Sequence, residues 1–290
     1  MAGRKARVLL IGNSRWHWAE RCEPLPLPGA PLPGAPLPAA LSPGAPPPEA
    51  PSQANADRAP GPWLYADGPP PHPEAWSPEE IRAWAAVGPV PESHGTVLPP
   101  GRRVHTKDVP LAGRPPWLGV DRALVAWEAW QRQQAQGPAP VLVADAGTVL
   151  SLTLVSEQGR FLGGRLLAGA GLQWRAMASG TVLLPALPPG IGAGADALDP
   201  WPQSTAAAME IGVLQGLAAA VALAAGELRQ GHSHGPPDDS PDWQGMAALR
   251  LWLCGGDGPR LAPLLRAAGV AVIEAPHLAM EALIRCAGLS

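Results

Sequence analysis

Two short glycine turns, set far apart in the chain, constrain its fold more than any other feature. They occupy residues 11–15 (IGNSR) and 145–148 (DAGT), and each follows an apolar run that is typical of a β-strand. Glycine lets a backbone turn sharply next to an anion, and neighbouring Asn, Ser or Thr side chains add donors to the exposed N–H groups. One such turn in each half of the chain predicts a duplicated phosphate-binding fold.

The composition sets outer limits. A chain of 290 residues, 46% of them hydrophobic, can bury a sizeable core in one large or two ordinary domains. A net charge of −3 provides no clustered basic surface, so we expect neither nucleic acid nor a membrane as a partner. Three widely spaced cysteines are too few for a disulfide framework or a zinc site, which favours reduced thiols in the cytoplasm.

Neither a secretory signal nor a membrane span is predicted. The apolar run near the N terminus stops at Gly12. Residues 211–225 are the most apolar stretch, but they are too few to cross a bilayer and include Gln215. We therefore interpret them as a buried, alanine-rich helix of a cytoplasmic protein.

A proline-rich tract over residues 24–73 interrupts the first half. Its repeats of Pro, Ala, Gly and Leu lack donors for strand pairing and apolar bulk for a core, so they predict a disordered insertion. The tract is either a ligand for proline-binding modules or a neutral expansion of a surface loop, and the composition favours the expansion.

Elsewhere the sequence alternates between strand and helix patterns. Serine, proline and glutamate at 77–80 predict a helix that continues to about residue 86. Further helices are predicted at 122–136, 205–230, 259–268 and 277–287, and strands at 141–144, 149–155, 161–167, 250–254 and 270–274. This is the pattern of two α/β halves, which we place at residues 1–138 and 139–290.

The segment Gly119-Val120-Asp121-Arg122 carries the strongest candidates for chemistry. A positioned carboxylate such as Asp121 suits the removal of a proton from an alcohol that attacks a phosphate, and Arg122 suits a substrate carboxylate. The alternative is structural: Asp121 caps a helix that begins at Arg122, and Arg122 forms a surface ion pair. Local sequence alone favours the structural alternative, because Asp is a preferred N-cap residue.

Three further residues allow two interpretations each. Asp145 suits a cation and Thr148 a phosphate, or both belong to a turn with an Asx-type hydrogen bond. Thr205 contacts a ligand or caps a helix. The pair His232 and His234 lies in a loop with no third ligand at a convincing spacing, so we interpret both as solvated.

The two turns and the intervening Gly-Val-Asp-Arg segment resemble, in this order, the type III pantothenate kinases of the actin and sugar kinase superfamily. Four more stretches are similar to that family: 163–169 (GGRLLAG), 181–185 (TVLLP), 204–212 (STAAAMEIG) and 253–257 (LCGGD). The resemblance implies two duplicated actin-like, ribonuclease H-like α/β domains. It also implies a homodimer whose interface helps to build the substrate pocket.

The resemblance also implies a role for each candidate residue. The reaction would be ATP-dependent phosphorylation of pantothenate, the first step of coenzyme A synthesis, with Mg²⁺ and a monovalent cation, K⁺ or NH₄⁺. Asp121 would accept the proton and Asp145 would bind the monovalent cation. The residues implied to bind pantothenate are Gly119, Val120, Asp121, Arg122 and Thr205. The residues implied to bind ATP are Gly12, Asn13, Ser14, Arg15, Gly147 and Thr148.

The chain departs from the family pattern at the first turn. The family has an aspartate that helps to hold the magnesium–nucleotide complex where this chain has Leu10, and it has threonine where this chain has Ser14. Leucine cannot bind magnesium. Either water and other carboxylates hold the cation, or nucleotide affinity is weak, or the protein does not catalyse. A ligand-sensing regulator and another small-molecule kinase are therefore the alternative functions.

Overall fold

The computed structural model describes residues 4–23, 62–72, 76–95, 98–187, 199–230, 243 and 245–289. Its elements form two β-sheets with helices packed against them. The strands are β1 (Arg4–Ile11), β2 (Trp16–Glu23), β3 (Leu64–Gly68), β4 (Ile81–Ala86), β5 (Val141–Ala146), β6 (Val149–Val155), β7 (Phe161–Ala168), β8 (Arg250–Cys254) and β9 (Ile273–Glu274). The helices are α1 (Glu92–Gly95), α2 (Val120–Gln136), α3 (Ala170–Gly180), α4 (Thr205–Arg229), α5 (Gly258–Ala267) and α6 (Leu278–Cys286).

The two sheets share one topology. The first has the strand order β3-β2-β1-β4 and the second has the order β7-β6-β5-β8-β9. In each, an antiparallel three-strand meander is followed by a strand that returns parallel to the first strand of the meander. The predicted duplication of two α/β halves is confirmed by this repeated order. The division of the chain at residue 138 stays a prediction.

Alternation of side chains along the strands creates separate cores. Leu150, Leu152 and Leu154 of β6 face a core that includes residues of α3, α4 and α5. Val155 and the odd-numbered valines of β5 face another core, which contains α2 and α6 and also reaches the first sheet. This second core lies between the two sheets. It includes Leu10 of β1, which ends at the first glycine turn, and Val143 of β5, which ends at the second.

The last helix packs against the first half of the chain. α6 contacts β1, β2 and β4 as well as α2, whereas α2 contacts β5 and β6 of the second sheet. Glu128 on α2 is fully buried and pairs with Arg285 of α6 and with Arg132, each at 2.8 Å. Glu128 therefore links α2 to α6 through a buried carboxylate whose two arginine partners are partly exposed.

Two predictions for the first half are wrong in part. Residues 81–86, assigned to a helix over 77–86, form β4, which pairs parallel with β1. Core clusters cover both faces of β4, so its burial does not show the alternation that identifies a strand. The C-terminal boundary predicted for the insertion over 24–73 is wrong, because β3 lies inside this range and pairs with β2. Residues 24–61 lie outside the described residues.

The second half follows the sequence more closely, with two differences. The strand predicted at 270–274 is confined to β9, and the helix interpreted as buried, α4, is buried on one side only: Leu223 is 61% exposed. Among the described helices, α4 alone is long and apolar enough to cross a membrane, and 39% of its most apolar window is buried. His232 and His234 lie outside the described residues.

Candidate active site

The first glycine turn is a tight hairpin between β1 and β2. The Gly12 N–H donates to the Arg15 carbonyl over 3.0 Å, and a Cβ on Gly12 would lie 2.8 Å from that oxygen. Position 12 therefore requires glycine, because any side chain would collide with the backbone. The turn leaves Asn13, Ser14 and Arg15 exposed beyond the end of the sheet.

The second turn joins β5 to β6 and meets the first. The Gly147 N–H donates to the Val149 carbonyl over 3.4 Å, which closes the turn. The hydroxyl groups of Ser14 and Thr148 are hydrogen-bonded to each other, although 134 positions separate them in the chain. The structure therefore brings the two predicted turns together at the carboxyl ends of β1 and β5.

A third loop, between β8 and α5, reaches the same place. The Asp257 N–H donates to the carbonyl of Ala146, a residue of the second turn, over 2.9 Å. Burial raises the pKa of the Asp257 carboxyl, and the positive charges of Arg260 and Arg15 oppose that shift. Arg15 also pairs with Asp67 of β3 over 2.8 Å. Arg15 thus lies between carboxylates of both halves.

Asp145 is the half-buried first residue of the second turn. Burial, assisted by the nearby charge of Asp121, raises its pKa to about 7, and a hydrogen bond from the Cys254 thiol opposes the shift. Gly255, the residue after Cys254, has a φ of +84°. A Cβ at this position would lie 2.6 Å from the Asp145 Oδ1 and from the Ala146 backbone, so only glycine fits beside this carboxylate. A bound cation would stabilise the charged form of this carboxylate, so Asp145 fits a cation ligand.

Asp121 lies in the first turn of α2, not at its N-cap. The helix begins at Val120 and its N-cap is Gly119, so the predicted capping role at a helix starting from Arg122 is wrong. The carboxylate folds back over Gly119, where a Cβ would lie 2.5 Å from Oδ1. Gly119 therefore makes room for Asp121.

The Asp121 carboxylate is also chemically unusual. Its Oδ1 is buried and has no hydrogen-bond partner among the described residues. Burial raises its pKa, against hydrogen bonds from the Arg122 and Asp121 N–H groups and the charge of Arg122. A raised pKa makes a carboxylate a better proton acceptor, and an oxygen without a partner keeps its capacity to accept a hydrogen bond.

Thr205 is not brought together with Asp121 within one chain. It is the first residue of α4, and Ser204 is the N-cap, whose side chain accepts from the Ala207 N–H over 3.2 Å. The capping interpretation of Thr205 is therefore wrong. α4 packs in the core that covers one face of the second sheet, whereas α2 packs on the other face. Thr205 is exposed.

Leu10 occupies the position in β1 that Asp145 occupies in β5, two residues before the turn glycine. Its side chain is 4% exposed and belongs to the core between the sheets. The duplicated fold thus carries a carboxylate at this position in one half and a core leucine in the other.

Two polar neighbours of the site escaped the sequence analysis. Cys254 donates a hydrogen bond to Asp145, and Thr153 accepts one from Arg122, although the sequence predicts no site role for either residue. A signal existed for Thr153, because Ser151 and Thr153 alternate with leucines in an otherwise apolar strand. Their partners depend on strand pairing, which single-strand patterns do not reveal.

Two phosphate-type turns that meet near a carboxylate whose buried Oδ1 has no partner among the described residues, on an α/β scaffold, are typical of one class: an ATP-dependent phosphotransferase that acts on an alcohol. The comparisons with known proteins specify that class further. A profile described as type III pantothenate kinase matches residues 103–225. A curated type III pantothenate kinase of Synechococcus elongatus is 31% identical over 97% of this chain and 95% of its own length. The chain belongs to the type III pantothenate kinase family.

A second relative and one solved structure extend the comparison. A type III pantothenate kinase of Gloeobacter violaceus is 42% identical over 41% of this chain and 48% of its own length. The activator of the 2-hydroxyisocaproyl-CoA dehydratase from Clostridium difficile with bound ADPNP aligns with a TM-score of 0.43 and 8% identity, over 98% of this chain and 94% of that one. The family assignment rests on the sequence relatives.

Proposed function

We propose that this protein transfers the γ-phosphoryl group of ATP to the 4′-hydroxyl of pantothenate, the first step of coenzyme A synthesis. The observation that carries the proposal is the buried Oδ1 of Asp121, which has no hydrogen-bond partner among the described residues and lies beside Arg122. A proton acceptor for the hydroxyl group and a positive charge for the carboxylate of the substrate are thus provided by adjacent residues.

In the proposed reaction, Asp121 accepts the hydroxyl proton as the substrate oxygen attacks the γ-phosphorus. The new P–O bond forms as the bond to the β,γ-bridging oxygen breaks, and ADP leaves. Arg122 binds the pantothenate carboxylate, with Gly119 and Val120 supplying backbone around it. The ATP phosphates lie against the two turns, at Gly12, Asn13, Ser14, Arg15, Gly147 and Thr148.

The cations have different relations to the chain. Asp145 would hold the monovalent cation, K⁺ or NH₄⁺, which supplies positive charge close to the phosphates. Mg²⁺ enters with ATP as part of the substrate. The first turn offers it no carboxylate, because Leu10 is a core side chain.

The test is a steady-state assay with ATP, Mg²⁺, K⁺ and a panel of acidic alcohols that includes pantothenate. We expect the highest kcat/KM with pantothenate. Turnover with a different alcohol alone would favour another small-molecule kinase. Binding of pantothenate or ATP without any turnover would favour the ligand-sensing regulator, which the leucine at position 10 suits.

The variant Leu10→Asp tests the first turn. It replaces a leucine that is 4% exposed, so we expect the free energy of unfolding to fall by about 3 kcal/mol or more without nucleotide. If position 10 faces the phosphates as in the family, calorimetry will show that Mg²⁺ strengthens ATP binding more in Leu10→Asp than in the unmodified protein.

The variant Leu10→Asn is the matched control, because it is similar in size and polar but carries no charge. An equal dependence on Mg²⁺ in Leu10→Asp, Leu10→Asn and the unmodified protein would contradict the alignment of the first turn.

We also propose that the protein is a cytoplasmic homodimer whose site includes Thr205 of the partner subunit. The placement of α4 and α2 on opposite faces of the second sheet supports this, because it separates Thr205 from Asp121 within a chain. Exposed apolar side chains after α3 and on α4 support it too: Val182 is 97% exposed, Leu183 is 90% exposed and Leu223 of α4 is 61% exposed. A second copy of the chain would cover them.

Mixed dimers test the shared site. The variants Asp121→Asn and Thr205→Val should each have low activity. In a heterodimer of the two, one site combines both substitutions and the other has none, so we expect about half of the unmodified turnover per dimer. Co-expression with two affinity tags isolates the heterodimer. No recovery of activity would show that Thr205 does not act on the partner subunit's Asp121.

A further inference from the structure

Arg122 extends from the start of α2 across the second sheet. Its Nε donates to the Oγ1 of Thr153 on β6 over 3.2 Å. Its Nη2 lies over Gly164 on β7, where a Cβ would be only 2.6 Å from that nitrogen. Two adjacent strands thus determine where the guanidinium lies, since Thr153 and Gly164 are register partners.

Thr153 has no exposed surface, and its strand is otherwise apolar apart from Ser151. A buried hydroxyl group without a partner typically costs about 1–3 kcal/mol, and valine would fill the same space without that cost. Among the described residues, Arg122 is the side chain that satisfies this hydroxyl. The residue type at 153 is therefore explained by Arg122 and not by packing.

The contact also determines which part of the guanidinium is free. Arginine has donors along two edges, one with Nε and one with both Nη nitrogens, and either edge can bind a carboxylate through two parallel hydrogen bonds. The Thr153 hydroxyl is bonded to Nε, and Nη2 lies where a side chain at position 164 would otherwise be. The edge with both Nη nitrogens remains for a ligand.

We infer that Thr153 is a positioning residue that orients Arg122 so that its two Nη nitrogens face the substrate carboxylate. The inference rests on the proposed function and goes one step further, because it assigns a carboxylate-specific role to a residue that does not touch substrate. When Arg122 is oriented before binding, it loses less conformational entropy as the substrate binds. Removal of the Thr153 hydroxyl should therefore weaken the affinity for the substrate and leave the chemical step unchanged.

The test uses Thr153→Val, which keeps the shape and removes the hydroxyl, and Thr153→Ser, which keeps the hydroxyl. Each is assayed with pantothenate and with its neutral analogue, in which a hydroxymethyl group replaces the carboxylate. We expect Thr153→Val to raise the KM for pantothenate about 3- to 10-fold, the equivalent of one hydrogen bond, with kcat unchanged. The KM for the neutral analogue should not change, and Thr153→Ser should restore the KM for pantothenate.

A purely structural role gives a different result, because it would change the KM for both substrates together. Equal effects on both substrates, or no effect on either, would overturn the inference. In the background of Arg122→Ala, Thr153→Val should have no further effect on KM. If Thr153→Val does not fold, Thr153→Ala provides the same comparison. Failure of the unmodified protein to phosphorylate pantothenate would contradict the proposed function instead, so the two failures are distinct.

Discussion

The substitution Asp121→Asn should abolish most phosphorylation of pantothenate and leave the fold intact. Asparagine has nearly the same size, so it fits over Gly119, and its side-chain oxygen can still accept hydrogen bonds from the first turn of α2. It cannot take the hydroxyl proton at pH 7. Removal of a general base typically lowers the rate about 100- to 10,000-fold, and we expect kcat to fall within that range.

The rate is measured as kcat with saturating pantothenate and ATP. The affinity for ATP, measured by calorimetry, and the melting temperature should both stay near the values of the unmodified protein. Asp108→Asn is the matched control, because it makes the same change at an exposed carboxylate that accepts a hydrogen bond from the His105 N–H over 2.8 Å. Wild-type turnover by Asp121→Asn would show that the proton acceptor has been assigned wrongly.

The substitution Arg122→Ala should act on binding of pantothenate more than on the rate of phosphoryl transfer. A hydrogen bond to a charged group contributes about 1.5–3 kcal/mol, which corresponds to a rise of about 10- to 100-fold in the KM for pantothenate. The KM for ATP should stay within about 2-fold, because the two turns and not Arg122 are proposed to bind ATP.

Arg122→Lys separates charge from geometry. Lysine keeps the positive charge but lacks the planar fork that binds a carboxylate through two hydrogen bonds, so its KM should lie between those of Arg122→Ala and the unmodified protein. A parallel rise in the KM for ATP and for pantothenate would indicate a structural role for Arg122.

The parts of the site that the sequence predicts well are those with a local cause. A turn that needs glycine, between an apolar run and a polar residue, can be identified without knowledge of its neighbours, and both turns are present. Asp145 is a candidate for the same reason, since it lies near the end of an apolar strand, two residues before the turn glycine. This pair of strand–turn units predicts a duplication, and the repeated order of the two sheets confirms it.

The remaining parts depend on contacts between distant elements. The partner of Thr153 is on α2 and that of Cys254 is on β5, so neither role is visible in its own strand. β4 was assigned to a helix because a Ser-Pro-Glu start outweighed a short strand that is covered on both faces. The separation of Thr205 from Asp121 also becomes visible only when the sheet between α4 and α2 is known.

The packing of α6 against β1, β2 and β4 has a consequence for synthesis of the protein. The core next to the first sheet lacks one of its walls until α6 has been synthesised, and α6 ends at Cys286, about 200 residues after β4 ends at Ala86. At about 5–20 residues per second, translation of that length takes on the order of 10–40 seconds. During this interval the side chains of β1 and β4 that face this core lack the cover of α6. We expect the nascent chain to bind chaperones that recognise hydrophobic segments.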